Sequence, residues 1–311
     1  MSDPVVLPET ASVLAFLASL EGPHLADMSA ADMRETYLKL GAAFDEPADP
    51  SVRTVDFTGA GIPLRGYFPG KAEAGPVIVY MHGGGWVIGD LETHDRLCRQ
   101  LCNESGVAIV AVDYRLAPEH VFPACVEDAF AATQWIAANA AELRIDPKRL
   151  AVGGDSAGGN LSAVVSLMAR DAEGPALRLQ LLIYPAVDFR MNSPSFASRG
   201  DVLPLTKQAV QWFGDHYLGK NPGDRVDDWR ASPIRAASLA GLPPAHVITG
   251  GYDVLCDEGQ AYADALEKAG VPVERAHFPG MIHGFITMGR FVQAANTAIA
   301  GCAAALKRAL A

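Results

Sequence analysis

From residue 77 onward, apolar residues gather in short runs with almost no polar interruption: Val77 to Met81, Ala108 to Val112, Leu150 to Val152, Leu179 to Ile183, Ala245 to Thr249 and Val271 to Ala276. A strand with one wet face alternates apolar and polar positions. Runs that do not alternate therefore predict strands covered on both faces, as in a parallel sheet between helices. Segments of helical period separate them, among them Val126 to Asn139, Gly158 to Arg170, and Gly259 to Lys268, which Gly270 halts. An alanine-rich helix is expected over Ala294 to Ala309. This alternation predicts a doubly wound, mostly parallel α/β sheet.

Two further regions frame that pattern. Upstream, Thr54 to Phe57 and Leu64 to Phe68 flank the turn signal Gly59-Ala60-Gly61 and predict an antiparallel hairpin. Before it, Val13, Phe16 and Leu17, then Met33, Tyr37 and Leu40, repeat at helical spacing within residues 1–50. The strand–helix alternation breaks once, over about residues 188–242. This insertion carries its own amphipathic helix, Val210 to Leu218, and a polar loop from Asn221 to Asp228. An insertion of that kind between two strands is expected to form a lid over a site. At 311 residues the chain is expected to be one domain, residues 1–311, with insertions.

Composition narrows the function. Half the residues are hydrophobic and a fifth are charged, the balance of an ordinary globular protein. The formal charge of −11 argues against a binder that tracks nucleic-acid phosphates and against attraction to anionic lipid; a neutral small molecule fits better. The start Met1-Ser2-Asp3-Pro4 lacks the features of a secretory signal, and no apolar run is long enough to span a bilayer, so a cytoplasmic protein is expected. Five cysteines, Cys98, Cys102, Cys125, Cys256 and Cys302, make an odd number and no metal-ligand pattern; they are read as buried structural thiols, with no metal and no cofactor.

The strongest chemical signal is Gly153-Gly154-Asp155-Ser156-Ala157-Gly158-Gly159-Asn160, between a predicted strand and a predicted helix. It contains Gly-x-Ser-x-Gly, the nucleophile elbow, in the strand–turn–helix setting that gives the motif meaning. A serine on so sharp a turn is held in a strained backbone conformation, and neighbours without side chains let strand and helix approach. Independently, His82-Gly83-Gly84-Gly85-Trp86 follows the strand ending at Met81. Consecutive glycines turn amide N–H groups into a cavity, where they stabilise the oxyanion of an acyl-transfer intermediate. Gly84, Gly85 and Ala157 are the expected oxyanion donors; His82 and Asp155 are expected to support the loop and brace the elbow.

A serine hydroxyl needs a base, and the base an orienting acid. In this fold class the chain order is Ser, acid, His, each after a strand. Asp253 follows Gly250-Gly251-Tyr252, and His283 lies in Pro279-Gly280-Met281-Ile282-His283-Gly284-Phe285. His277 competes but belongs to the end of a strand, whereas His283 lies in a glycine-bounded loop. His24, His94, His120, His216 and His246 fall in segments that do not suit the role. Asp257 and Glu258 rival Asp253 but read as the acidic first turn of a helix. Trp86, Leu205, Trp212 and Phe213 are the candidates for acyl pocket or lid.

With these blocks in place, the chain resembles the bacterial hormone-sensitive-lipase-like esterases of the α/β-hydrolase fold, in the branch with a Gly-Asp-Ser-Ala-Gly elbow. The likeness rests on His82 to Gly85, Asp113-Tyr114-Arg115-Leu116-Ala117-Pro118-Glu119, the elbow, Asp253-x-Leu255-x-Asp257-Glu258 and His283-Gly284-Phe285. It implies a lid from residues 1–50 together with 188–242, a Ser-His-Asp triad working through an acyl-enzyme, and hydrolysis of short- to medium-chain acyl esters without cofactor. It also implies that a homodimer is within the family's range. The Tyr114 to Glu119 block is expected to be structural, with a buried contact from Arg115 to a carboxylate. Plant hormone receptors similar to this family lack the histidine that stands here at 283, which favours an enzyme over a binding protein.

Overall fold

The computed structural model describes residues 6–20, 27–44, 50–70 and 74–311; His24 and part of the expected N-terminal lid lie outside them. Two helices, α1 (Pro8–Ser19) and α2 (Ala30–Phe44), precede the hairpin β1 (Arg53–Gly59) and β2 (Ile62–Phe68). The hairpin loop is Ala60-Gly61, both with positive φ (53° and 78°), the backbone hand that matches the twist of paired strands. There follow β3 (Gly75–Met81), α3 (Asp95–Ser105), β4 (Ala108–Val112), α4 (Ala124–Ala138), α5 (Ala140–Leu143), β5 (Ile145–Asp155) and α6 (Ala157–Asp171). After β6 (Gln180–Ile183) come α7 (Pro194–Ser198) and α8 (Lys207–Tyr217) of the insertion, and then β7 (Ala245–Tyr252), α9 (Cys256–Lys268), β8 (Val273–Ile282) and α10 (Gln293–Ala309).

The eight strands form one sheet in the order β1-β2-β4-β3-β5-β6-β7-β8. Only β2 runs against its neighbours; from β4 to β8 every pairing is parallel. Central strands are buried on both faces, with Val77 to Met81 fully inaccessible, as their unbroken apolar runs require. One face is covered by α3 and α10, with Leu97, Leu101, Ile299 and Leu306 in the core. On the other face lie α4, α6 and α9, through residues such as Ala129, Val164 and Leu266. The chain passes from β3 outward to β4 and then returns to β5 on the other side of β3. The C-terminal ends of β3 and β5 therefore flank the crevice where such sheets hold ligands.

Several boundaries differ from expectation. β5 begins five residues before Leu150, because Ile145 joins Gly75 at the far end of the sheet across a register shift. β8 continues past Ala276 to Ile282, so His277 lies inside the strand, paired opposite Thr249, and not at its end. All five cysteines are free and buried. No described helix is long and apolar enough to cross a membrane.

Candidate active site

Ser156 sits between the last residue of β5 and the first of α6, with φ 55° and ψ −115°. Its amide donates to the Ile183 carbonyl at the end of β6 at 2.8 Å, and its carbonyl accepts from Asn160 of α6 at 3.0 Å, so the adjacent strand and the following helix hold the strained turn. The elbow glycines are required by β3. A Cβ on Gly154 would stand 2.2 Å from the Met81 carbonyl oxygen, and one on Gly158 would stand 1.9 Å from it. Strand and helix could not approach this closely with any side chain at either position.

The His82–Trp86 loop lies beside the elbow. Gly84 has φ 121°, and a Cβ there would meet the Ile88 carbonyl at 2.1 Å; Gly85 has φ 58°, with the ring of Phe213 2.3 Å from where its Cβ would be. No turn, loop or capping hydrogen bond among the described residues takes the amide N–H of Gly84, Gly85 or Ala157. Asp155 joins this loop to the elbow. Its Oδ1 accepts from the Tyr80 hydroxyl at 2.9 Å and the Gly83 amide at 3.1 Å, and His94 Nε2 lies 3.4 Å from Oδ2. Burial opposes its charge, but the His94 interaction and the Tyr80 hydrogen bond outweigh it and keep the carboxyl below its ordinary range.

His82 is buried and stacks on Tyr114, with ring centroids 4.3 Å apart, and the Tyr114 hydroxyl donates to the His82 carbonyl at 2.7 Å. Burial, with His94 nearby, pushes the His82 imidazole down to about 4, so it is neutral at physiological pH. The rest of the Asp113–Glu119 block is tied down at both ends. Arg115 makes a forked contact to Asp128, but the arginine is 47% exposed and only the carboxylate, at 8%, is buried; this corrects the expected burial of the pair. Glu119 pairs with Arg34 of α2.

Ser156, His283 and Asp253, distant in sequence, come together in line. His283 Nε2 lies 2.9 Å from Ser156 Oγ, and its Nδ1 lies 2.7 Å from Asp253 Oδ2. Asp253 is buried directly after β7, and its Oδ1 accepts the Leu255 amide at 2.9 Å, which fixes the carboxylate plane. His283 directly follows β8, with Tyr184 packed on its ring at 4.8 Å between centroids. His277 instead contacts Thr249 Oγ1 at 2.9 Å.

A cavity of about 500 Å³ opens onto Ser156 and His283. Its walls include Leu17, Met33, Tyr37 and Leu40 from the N-terminal helices and Leu205 and Phe213 from the insertion; Trp86 also lines it, stacked on Tyr217. Trp212 does not. Successive helix positions point about 100° apart, so while Phe213 faces the cavity, Trp212 turns into the core and packs on His216 at 4.1 Å. Of the residues at helical spacing in α1, Val13 is buried and Phe16 is exposed.

Some residues at the site had no reading in the sequence. His94 and Tyr80 carry no motif, although Tyr80 directly precedes the glycine loop's strand end. Asn160, the last residue of the elbow motif, donates to the carbonyls of Ala186 and Ala231, both at 2.8 Å, and holds the insertion against α6. Asp257 and Glu258 stand in the first turn of α9 as expected, yet their carboxylates are spent elsewhere: Asp257 accepts the Ser195 amide at 2.7 Å, and Glu258 accepts the Val187 amide at 2.8 Å.

A mostly parallel sheet with a serine elbow and a glycine loop at its switch point, and an aspartate and a histidine at the ends of β7 and β8, defines an α/β hydrolase. The family model described as the alpha/beta hydrolase fold matches residues 78–287. The carboxylic ester hydrolase LipN of Mycobacterium tuberculosis is 47% identical over 232 residues, which cover 73% of this chain and 61% of LipN. Ethyl acetate hydrolase of Pseudomonas putida is 38% identical over 292 residues, covering 92% and 91% of the two chains. Among solved structures, a thermostable esterase from Pseudomonas putida superposes with a TM-score of 0.94 at 38% identity, over 100% of this chain and 99% of that one. The chain belongs to the hormone-sensitive-lipase-like family of α/β hydrolases and is a serine carboxylesterase.

Proposed function

We propose that the protein hydrolyses short- to medium-chain acyl esters through an acyl-enzyme, with Ser156 as nucleophile, His283 as general base and acid, and Asp253 as the group that orients the imidazole. The observation that carries this reading is the unbroken line from Ser156 Oγ through both His283 nitrogens to Asp253. Ser156 attacks the ester carbonyl as His283 Nε2 takes its proton, and the proton then passes to the departing alcohol. Water enters, and the same nitrogen activates it to release the acid. The amides of Gly84, Gly85 and Ala157 would receive the oxyanion, each worth on the order of 10²–10³ in rate. Asp155 and His82 act at one remove, Asp155 by holding the glycine loop to the elbow and His82 by anchoring that loop on Tyr114.

The N-terminal helices and residues 188–242 are read as a lid belonging to one hydrolase domain, because both contribute walls to the cavity over Ser156. Phe213 narrows that cavity beside Gly85, which supports a short acyl group. The name of the Pseudomonas putida relative, an ethyl acetate hydrolase, agrees with small esters. Purified protein is expected to turn over p-nitrophenyl butyrate, and Ser156→Ala to abolish this while remaining folded. Undiminished turnover in that variant would remove the serine from the mechanism.

A further inference from the structure

Glu258 lies in the first turn of α9 and is 6% exposed, yet it lines the same cavity as Ser156 and His283. Its Oε1 is engaged: it accepts the amides of Val187 at 2.8 Å and Asp188 at 3.4 Å. The same loop reaches the nucleophile, because the Ala186 amide donates to the Ser156 carbonyl at 3.3 Å. The second oxygen, Oε2, receives no hydrogen bond from any described residue, and it is not among the buried polar atoms sealed from the surroundings. Glu258 lines the cavity, and Oε2 is the oxygen left to face it. The other acid on this wall, Asp188, is occupied by the guanidinium of Arg235 at 2.6 and 3.1 Å. Around them the wall is apolar, with Leu255, Met191 and Leu205.

A carboxyl oxygen left without a protein partner in an apolar cavity wall gains a hydrogen bond when a ligand group meets it. We propose that Glu258 Oε2 forms a specificity subsite that hydrogen-bonds a hydroxyl group carried by the substrate, so that hydroxylated esters are preferred to plain alkyl esters. This rests on the ester-hydrolase reading and names the substrate class for the same site. Burial pushes the Glu258 carboxyl up to about 8, against the two amides that favour its ionised form, so it carries a proton over much of the neutral range. A hydroxyl both donates and accepts and suits either state of the carboxyl. An ammonium group would suit only the ionised one.

The test compares kcat/KM within two pairs of isosteric esters. In one pair, hydroxyethyl butyrate against propyl butyrate, the hydroxyl is on the alcohol side; in the other, ethyl β-hydroxybutyrate against ethyl isovalerate, it is on the acyl side. The wild-type protein is expected to favour the hydroxylated member of one pair by about tenfold, the scale of a hydrogen bond lost from a site built for it. The pair that responds tells which side of the ester meets Glu258. Glu258→Leu is expected to bring the ratio close to one, while Glu258→Gln, whose amide still meets both the backbone and a hydroxyl, keeps most of it. Turnover without preference in either pair overturns the subsite alone, and so does a preference that survives Glu258→Leu. If the leucine variant does not fold, the wild-type ratios decide. Failure to turn over any of the four esters overturns the ester-hydrolase reading and the subsite with it.

Discussion

In the proposed mechanism the His283 imidazole takes a proton and returns it in the next step, which needs one tautomer and one orientation, and Asp253 is placed to hold both. Its Oδ2 faces His283 Nδ1 at 2.7 Å, while Oδ1 is held by the Leu255 amide, so the carboxylate cannot rotate away. Asparagine has the same shape but would place a donor against the ring nitrogen or force the opposite tautomer. Asp253→Asn is expected to lower kcat by about 10⁴-fold while leaving the melting temperature little changed. Steady-state rates and a thermal melt check both halves of this expectation. Ser156, Asp253 and His283 were legible in the sequence because each follows an apolar strand run and carries glycine nearby. Glu258 was not, because the partner that redirects its carboxylate, the Val187 amide, lies 71 residues away.

Whole elements set how well the glycine loop is held. Arg34 on α2 donates to the carbonyls of Val87 at 2.8 Å and Ala117 at 2.9 Å, fastening an N-terminal helix to the end of that loop. Its ion pair with Glu119 is exposed, with side chains 30% and 54% accessible, and such pairs contribute at most about 1 kcal/mol. Hydrogen bonds from a charged donor contribute more, roughly 1.5–3 kcal/mol each. Arg34→Ala is therefore expected to reduce kcat/KM by about tenfold and Glu119→Gln by much less, in assays of the same butyrate ester. On α8, Phe213→Ala removes the ring beside Gly85. The ratio of octanoyl to butyryl ester hydrolysis is expected to rise about tenfold, as a pocket gains room for extra methylenes. A chain-length profile that does not move would mean that another wall limits the acyl group. The helical period revealed α8, but not which of two adjacent aromatics faces inward; the packing of Trp212 against His216 decided that.

Across the whole molecule, buried titratable groups couple stability to pH. Because the folded Glu258 carboxyl sits near 8, above the ordinary glutamate value of 4.5, the native state keeps a proton that the unfolded chain has released between those values. Its contribution is complete below 4.5 and is lost as pH rises through about 8. Relative to Glu258→Gln, the wild-type protein is expected to lose up to about 4 kcal/mol, or several degrees in Tm, between about pH 5 and about pH 8. Parallel melts of the two proteins at both pH values test this, and a constant gap would show that the carboxyl ionises freely in the fold.

The sequence by itself determined the succession of strands along the chain, the elbow and the glycine loop. Those follow from local rules: unbroken apolar runs need cover on both faces, and Gly84, Gly154 and Gly158 stand where backbone approach leaves no room for a Cβ. It also placed Asp253 and His283 directly after strands, where β7 and β8 end. Only the tertiary structure decided where the remaining polar groups go. Arg34 reaches the glycine loop, His94 meets Asp155, and Glu258 turns from its own helix end to the loop after β6. Such partners are adjacent because the sheet order and the packing of helices bring them together, and no local pattern of residues encodes a contact whose two halves lie on separate elements.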